Sequence, residues 1–436
     1  MRTKSLFGFD IWLLSSSIAL MVIGILFVYS SGYSSTGIVL SDEYIKQIIW
    51  VCLGLGIAIL LMFVNYLRIA DFSRYIYAFF IVLLVATLMI GRVVNGARSW
   101  IPVFSFGLQP SEFAKVATIL FLAFFIERNS RSLDRLRTMV QALLIVLGPV
   151  LLILMQPDLG TALVYVPIFL SMAFVAGFPV RFVAFLLGAG ALVIFFSVLP
   201  AWHANIAIRE YAIVNLVSST RYGVFTFLVL FGIAALAAIG YLVIRKRYFY
   251  WILYVVSMLA TSFGGSFVLR RFMKEYQLTR LIVFLDPGID PQGAGWNVIQ
   301  SVTAVGSGGW FGKGWLKGTQ SHYRFLPQQS TDFIFSIIAE EWGFAGGLLI
   351  FLLFSVILAR GVYIMISARD RYASLVSAGL VSMIGFHVII NIGMAMGVMP
   401  ITGIPLFFLS YGGSSLWTGL VAIGLLLNIH IRRYRY

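Results

Sequence analysis

Two aspartates, Asp286 and Asp290, stand four residues apart in Asp286-Pro287-Gly288-Ile289-Asp290-Pro291-Gln292-Gly293-Ala294-Gly295, each followed by proline. A carboxylate held in a proline-stiffened turn can take a proton from a hydroxyl group, the work of a general base. Asp-Pro beside glycine is also an ordinary turn signal, so spacing alone leaves both readings open. Glu112 and Lys115 lie three residues apart and share a helix face. An ion pair about one to two turns inside an apolar segment is costly, and marks either a functional site or a structural link between helices. The run Gly306-Ser307-Gly308-Gly309, followed by Gly312-Lys313-Gly314, offers backbone N–H groups to a phosphate as a nest. It is not a nucleotide P-loop. Ser307 stands at the first required glycine, and Gly314 replaces the hydroxyl residue that would hold magnesium. Thr331-Asp332 opens an apolar run that carries Glu340-Glu341, and Ser410-Tyr411-Gly412-Gly413-Ser414-Ser415 lies in the last segment, where small residues also serve close helix packing.

These residues hang on an apolar chain. Hydrophobic residues make up 61% of the 436 and charged residues 11%, which excludes a soluble globular protein. Apolar runs long enough to cross about 30 Å of hydrocarbon recur twelve times, at about 9–32, 44–66, 73–91, 110–127, 138–156, 159–177, 181–199, 223–244, 249–271, 331–359, 373–397 and 406–431. The fold class expected is an all-α polytopic membrane protein of about twelve transmembrane helices, forming a single integral membrane domain over 1–436. The first run is too long for a cleaved signal peptide and reads as an anchor. Residues 272–330 read as one large external loop, and a loop of that length is functional or disordered. Trp202, Tyr211 and Tyr222 in the 200–222 stretch are expected at the outer interface.

Charge sets the orientation. With the N-terminus inside, 18 of the 31 Lys and Arg residues fall on the inner side and crowd the short connections, so both termini are expected in the cytoplasm. The net charge of +15 is therefore mostly topogenic and gives nucleic-acid binding little support. Against that drift, Arg270, Arg271, Lys274, Arg280, Lys313, Lys317 and Arg324 gather on or beside the external stretch, where they suit an anionic ligand. The lone Cys52 permits no internal disulfide, and the four scattered histidines offer no zinc spacing. His387, mid-helix, reads as an interhelical hydrogen-bond partner.

Together the motifs resemble the SEDS family (shape, elongation, division and sporulation proteins; RodA/FtsW). The stretches that carry the likeness include Asn95-Gly96-Ala97-Arg98-Ser99-Trp100, Gln109-Pro110-Ser111-Glu112-Phe113-Ala114-Lys115 and Gln156-Pro157-Asp158-Leu159-Gly160-Thr161. Asp290 to Gly295, Gly318-Thr319-Gln320, Phe325-Leu326-Pro327, Thr331-Asp332-Phe333, Asn391-Ile392-Gly393-Met394 and Ser410-Tyr411-Gly412-Gly413-Ser414 follow in order. Gly-Lys-Gly before Gly-Thr-Gln is nearer the rod-shape branch than the division branch. The resemblance implies a peptidoglycan glycosyltransferase of the bacterial cell (inner) membrane that polymerises lipid II for cell elongation, partnered by a class B penicillin-binding protein. It implies Asp290 as catalytic base, and Trp100, Glu112 and Lys115 as further functional positions.

Two departures stand out. The family usually has ten membrane helices, so residues 200–271 read as an insertion carrying two extra helices, with Arg245-Lys246-Arg247 between them on the inner side. Gln328 stands where the family usually has glutamate.

An α-linked diphosphate donor and a β-linked product imply inversion by direct displacement, which needs one base and a cationic clamp on the leaving diphosphate. Asp290 is the expected base. Arg98, Lys115, Arg280 and Lys313 are the expected clamp, with a divalent cation such as Mg or Mn as a further aid, and Thr331, Asp332 and Ser410 complete the substrate-binding set. The competing readings are a lipid II flippase, which the intramembrane pair suits, and a non-catalytic scaffold for a transpeptidase. One-sided polarity argues against a carrier with a midplane site.

Overall fold

Asp10, Asn65, Asp158 and Asp370 each stand just before an apolar run. In the computed structural model each accepts a hydrogen bond from a backbone N–H of the helix that follows, so short polar side chains set where four of the spans begin. The structure describes residues 9–34, 38–94, 96–103, 106–205, 214, 217, 219–273, 275–323 and 325–433. Asn95, Tyr211, Lys274 and Arg324 lie outside the described residues.

The chain runs through α1 (Ile11–Ser31), α2 (Glu43–Phe63) and α3 (Tyr66–Ile90), then strands β1 (Arg92–Val94), β2 (Ala97–Val103) and β3 (Phe106–Leu108). It continues through α4 (Pro110–Arg128), α5 (Leu136–Met155), α6 (Leu159–Ala176), α7 (Val180–Asn205), α8 (Thr220–Ile244) and α9 (Arg247–Phe272). Then come α10 (Glu275–Leu285), α11 (Ala294–Ser307), α12 (Thr319–His322), α13 (Ile334–Ile366), α14 (Arg371–Ala395) and α15 (Gly413–Arg432). All twelve apolar runs are helical. Eleven of the described helices are long and apolar enough to cross a membrane, and the twelfth run, α4, falls short because it carries Glu112, Lys115, Glu127 and Arg128.

Three features depart from the sequence pattern. The antiparallel sheet β1-β2-β3 was not expected; strands of three, seven and three residues are too short for alternation to register. The stretch read as an external loop is largely helical, holding α10, a 3-10 turn at Pro287–Ile289, α11 and α12. The last span begins at Gly413 rather than near 406. Residues 406–410 form a tight turn in which Leu406 N–H donates to Ser410 Oγ at 2.9 Å and Ser410 N–H donates back to Leu406 O at 2.9 Å.

Two compact units form, Met1–Gly177 with Trp296–Tyr436, and Phe178–Gly295. In the first, α15 packs on α2, α3 on α4, α14 on both α6 and α13, and α1 on α13. Its centre is α14 and α15, the most enclosed spans. In the second, α9 packs against α7 and α8, and α10 against α7.

Helix α13 is broken at Gly343 (φ 65°, ψ −158°), a conformation open essentially to glycine alone. The glycine-rich run fills the break. Lys313 and Gly314 N–H donate to Glu340 O and Glu341 O, both at 3.0 Å, while Phe344 and Ala345 N–H donate to Gly309 O and Trp310 O at 2.8 and 3.0 Å. These four bonds partner the N–H groups of Phe344 and Ala345 and the carbonyls of Glu340 and Glu341, the groups that an unbroken helix would pair with one another.

Candidate active site

In the second unit, Asp290 sits between the 3-10 turn and α11. Its Oδ2 accepts from Ala294 N–H at 2.8 Å, and its own carbonyl accepts from Gly295 N–H at 3.0 Å. Oδ2 thus caps α11, while Oδ1 makes no hydrogen bond among the described residues and the residue stays half-exposed. The surrounding glycines make this possible. A methyl group on Gly293 would overlap Asp290 Oδ2, and one on Gly295 would overlap Pro287 O and stand 2.5 Å from Asp290 O. Asp286, by contrast, turns its Oδ1 onto Gly288 N–H at 2.9 Å and caps the 3-10 turn, which is the plain turn role. Arg280 lies on α10, half-buried, with its guanidinium 5.6 Å from the centre of the Tyr276 ring.

The remaining candidates belong to the first unit. Lys115 Nζ is wholly buried, 2.8 Å from Glu112 Oε1 and 3.0 Å from His387 Nε2. His387 Nδ1 lies 2.8 Å from Pro405 O, a contact that only a protonated Nδ1 can make favourably. Nε2 is then left with a lone pair, which accepts from the lysine. The result is a three-membered polar link between α4, α14 and the segment before α15, with Glu112 Oε2 buried and unpartnered. The Gln-Pro motifs at the heads of α4 and α6 are also joined: Gln109 Nε2 donates to Asp158 Oδ2 at 3.0 Å, and Asp158 caps α6.

Arg98 and Trp100 share strand β2. Arg98 is exposed and donates from Nη1 to Leu88 O at 3.2 Å, and its backbone N–H donates to Gln156 O at 3.1 Å. The Trp100 ring lies over Gly107, where a methyl group would meet it at 2.8 Å. Thr331 and Asp332 are half-buried in a turn on Gln328 O, and Asn391 Nδ2 donates to Asp332 O at 2.9 Å. Ser410 is buried, holding its own turn, with its carbonyl accepting from Gln47 Nε2 at 3.2 Å. Nearby, Ser31, Gly32, Ser41, Glu43 and residues 326–330 line an open polar cavity of about 270 Å³, and Gln328 lies in its wall in a left-handed conformation (φ 49°).

Two sequence expectations change. The glycine-rich run does not cradle a phosphate: the N–H groups of Gly312, Lys313 and Gly314 are spent on Gly308 O, Glu340 O and Glu341 O. Lys313 is not free to clamp an anion, because its ammonium pairs with buried Glu340 at 2.8 Å and bonds Thr319 Oγ1 at 2.7 Å. Glu340 also accepts from Thr319 N–H at 2.8 Å and Gln320 N–H at 2.9 Å. Glu341 accepts from Ser30 Oγ at 2.5 Å and Leu316 N–H at 3.1 Å, and lies 3.3 Å from His322 Nε2. Burial pulls the His322 imidazole down, but the Glu341 carboxylate and the Tyr33 carbonyl outweigh it and raise its pKa above the usual histidine value.

Among the described residues no three His, Cys, Asp or Glu side chains gather as a metal site. Asp290 Oδ1 offers a single oxygen, so the residues present build no protein cage for Mg or Mn.

The family model described as a cell cycle protein, FtsW/RodA/SpoVE, matches residues 11–221 and 213–435. The chain is 48% identical to the peptidoglycan glycosyltransferase RodA of Treponema pallidum (strain Nichols), over 99% of this chain and all of that protein. It is 35% identical to the stage V sporulation protein E of Bacillus subtilis (strain 168), over 96% of each. A solved structure described as structural coordination of polymerization and crosslinking by a peptidoglycan synthase complex matches with a TM-score of 0.67 and 28% identity, over 98% of this chain and 99% of that one.

Proposed function

The chain belongs to the FtsW/RodA/SpoVE cell cycle protein family, and as a peptidoglycan glycosyltransferase of that family we propose that it polymerises lipid II into β-1,4 glycan at the outer face of the membrane, serving cell elongation. The observation that carries the catalytic assignment is the Asp290 carboxylate: one oxygen is fixed by the first N–H of α11, the other makes no hydrogen bond among the described residues, and Gly293 presses against it.

In the reaction, Asp290 takes the proton of the acceptor sugar hydroxyl as its oxygen attacks the anomeric carbon of the donor. The bond to the diphosphate breaks on the opposite face, the configuration inverts, and polyprenyl diphosphate leaves with the electron pair. No general acid is needed if cations neutralise the leaving group. Lys115 and Lys313 are engaged by Glu112 and Glu340. Of the four candidate cations, Arg280, on the same unit as Asp290, therefore carries the clamp role in this proposal, and Lys115 links helices within its own unit.

The basic inner connections support cytoplasmic termini and an extracytoplasmic catalytic stretch. A class B penicillin-binding protein is the proposed partner, crosslinking the strands as they form. The helix pair α8–α9 is proposed as the addition to a ten-helix core.

The test is purified protein, alone and with its partner transpeptidase, incubated with fluorescent lipid II and resolved on a gel. A ladder of glycan products is expected. Folded protein that yields no ladder even with the partner, yet moves labelled lipid II between vesicle leaflets, overturns the polymerase reading in favour of the flippase.

A further inference from the structure

The second unit carries a feature that glycan synthesis does not use. Arg181 in the first turn of α7 and Arg245, Lys246 and Arg247 at the α8–α9 turn are all exposed. None is part of a salt bridge among the described residues. The described acidic side chains of this unit, Asp286 and Asp290, both follow the opposite end of α9. That helix, at 1.5 Å per residue over 26 residues, is about 39 Å long.

A chain of contacts links Arg181 to the α8–α9 turn. Tyr254 on α9 donates its hydroxyl to Arg181 O at 2.7 Å, tying the two helices together. The Arg181 guanidinium lies 5.6 Å from the ring centres of both Tyr250 and Trp251. Tyr250 in turn meets Tyr241 at 5.9 Å, and Tyr241 O accepts the N–H of Arg245 at 3.1 Å. Arg245 closes α8 in a left-handed conformation (φ 56°), so the next helix starts almost at once: Arg245 and Lys246 make up the connection and Arg247 opens α9. The positive-inside rule explains a basic turn, but not a guanidinium from another helix fixed beside it on two aromatic faces. Tyr248 and Trp251 are half-exposed at the same level, as residues at a headgroup layer are. Ile239, Leu242 and Val243 then continue an apolar exposed surface along α8.

We propose that this patch binds the phosphate headgroup of an anionic phospholipid in the adjoining leaflet. Guanidinium groups pair with phosphate oxygens in a bidentate fork, the half-exposed aromatics sit at the glycerol level, and the apolar side of α8 receives the acyl chains. The inference is independent of the catalytic assignment.

The experiment uses the full chain, delipidated and returned to nanodiscs of phosphatidylcholine containing a small fraction of phosphatidylglycerol or cardiolipin, with retained lipid counted by native mass spectrometry. Each cation near an anionic headgroup contributes roughly a factor of five, so the triple variant Arg245→Gln/Lys246→Gln/Arg247→Gln is expected to bind ~100-fold more weakly, and Arg181→Gln ~5-fold. The control Arg131→Gln/Arg135→Gln/Arg137→Gln removes three exposed cations of the other unit and is expected to leave retention unchanged. Elution profiles and unfolding temperatures report whether each variant is folded, and Arg181→Gln stands alone if the triple variant is not. Equal retention by wild type and Arg181→Gln, or equal loss in the control, overturns the site as general surface attraction. Displacement of the lipid by millimolar inorganic phosphate at constant ionic strength overturns the lipid assignment.

Discussion

Replacing Lys115 by methionine removes an ammonium that is fully enclosed and 2.8 Å from a carboxylate that is 2% exposed. At that distance, with an effective dielectric constant of about 20, the attraction is about 6 kcal/mol. Desolvating the two ions costs several kcal/mol each and offsets most of that gain, so the intact pair is worth little net. The asymmetry appears when one partner goes: Glu112 keeps its desolvation cost with nothing opposite, and His387 Nε2 loses its donor. Lys115→Met is therefore expected to destabilise the protein by about 3–5 kcal/mol, a large fraction of the 5–15 kcal/mol of a typical fold. Adding Glu112→Gln removes the orphaned charge and should recover at least half of that loss. The assay is a double-mutant cycle on detergent-purified protein, followed by reversible denaturant unfolding. Additive effects, or a Lys115→Met variant within 0.5 kcal/mol of wild type by the usual surface-substitution range, would refute the reasoning that the pair is a buried structural link.

Three further outcomes follow from the geometry. Gly295→Ala drives a methyl group into Pro287 O and Asp290 O, so polymerisation is expected to fall toward the level of an Asp290 variant while global unfolding barely shifts; unchanged activity contradicts the assigned turn. Gly343→Ala forces a side chain into a glycine-only conformation, at a cost of about 1–3 kcal/mol, and loosens residues 309–314, to be read by hydrogen exchange at Lys313 and Phe344. The raised pKa of His322 means that its pairing with Glu341 contributes fully below about pH 6.5, the unfolded value, and is lost as pH rises through the folded value. Unfolding temperatures of wild type and His322→Gln should therefore converge as pH climbs from 6 to 9, and parallel curves count against the pair.

Much of the fold was legible because hydropathy reports spans directly and the Gln-Pro motifs mark the heads of α4 and α6; the start of α3 at Tyr66, capped by Asn65, was not, because Arg68, Asp71 and Arg74 break the apolar run there. The Glu112–Lys115 pair was legible from its i, i+3 spacing, and His387 as an interhelical partner from its mid-helix position. That His387 partners Lys115 was not, since 272 residues separate them and no local pattern links them. The glycine-rich run misled for a physical reason. Its free-looking N–H groups are a nest only when no backbone carbonyls await them, and the break at Gly343, far along the chain, supplies those carbonyls. Lys313 misled likewise, because the buried acid that claims it lies on α13. Asp290 was readable as a turn residue, and the family likeness marked it out from Asp286. The geometry adds a separate distinction between the two: Asp286 caps the 3-10 turn and Asp290 caps α11 with Oδ1 left free.

The central claim is that Asp290 acts as the base. Its most direct test is the single-turnover rate of lipid II consumption by wild type and Asp290→Asn, purified identically with the partner transpeptidase. Asparagine keeps an oxygen for the Ala294 N–H, so the fold and lipid II binding are expected to hold while the rate drops by roughly 10²–10⁴. A rate equal to that of wild type would contradict the account.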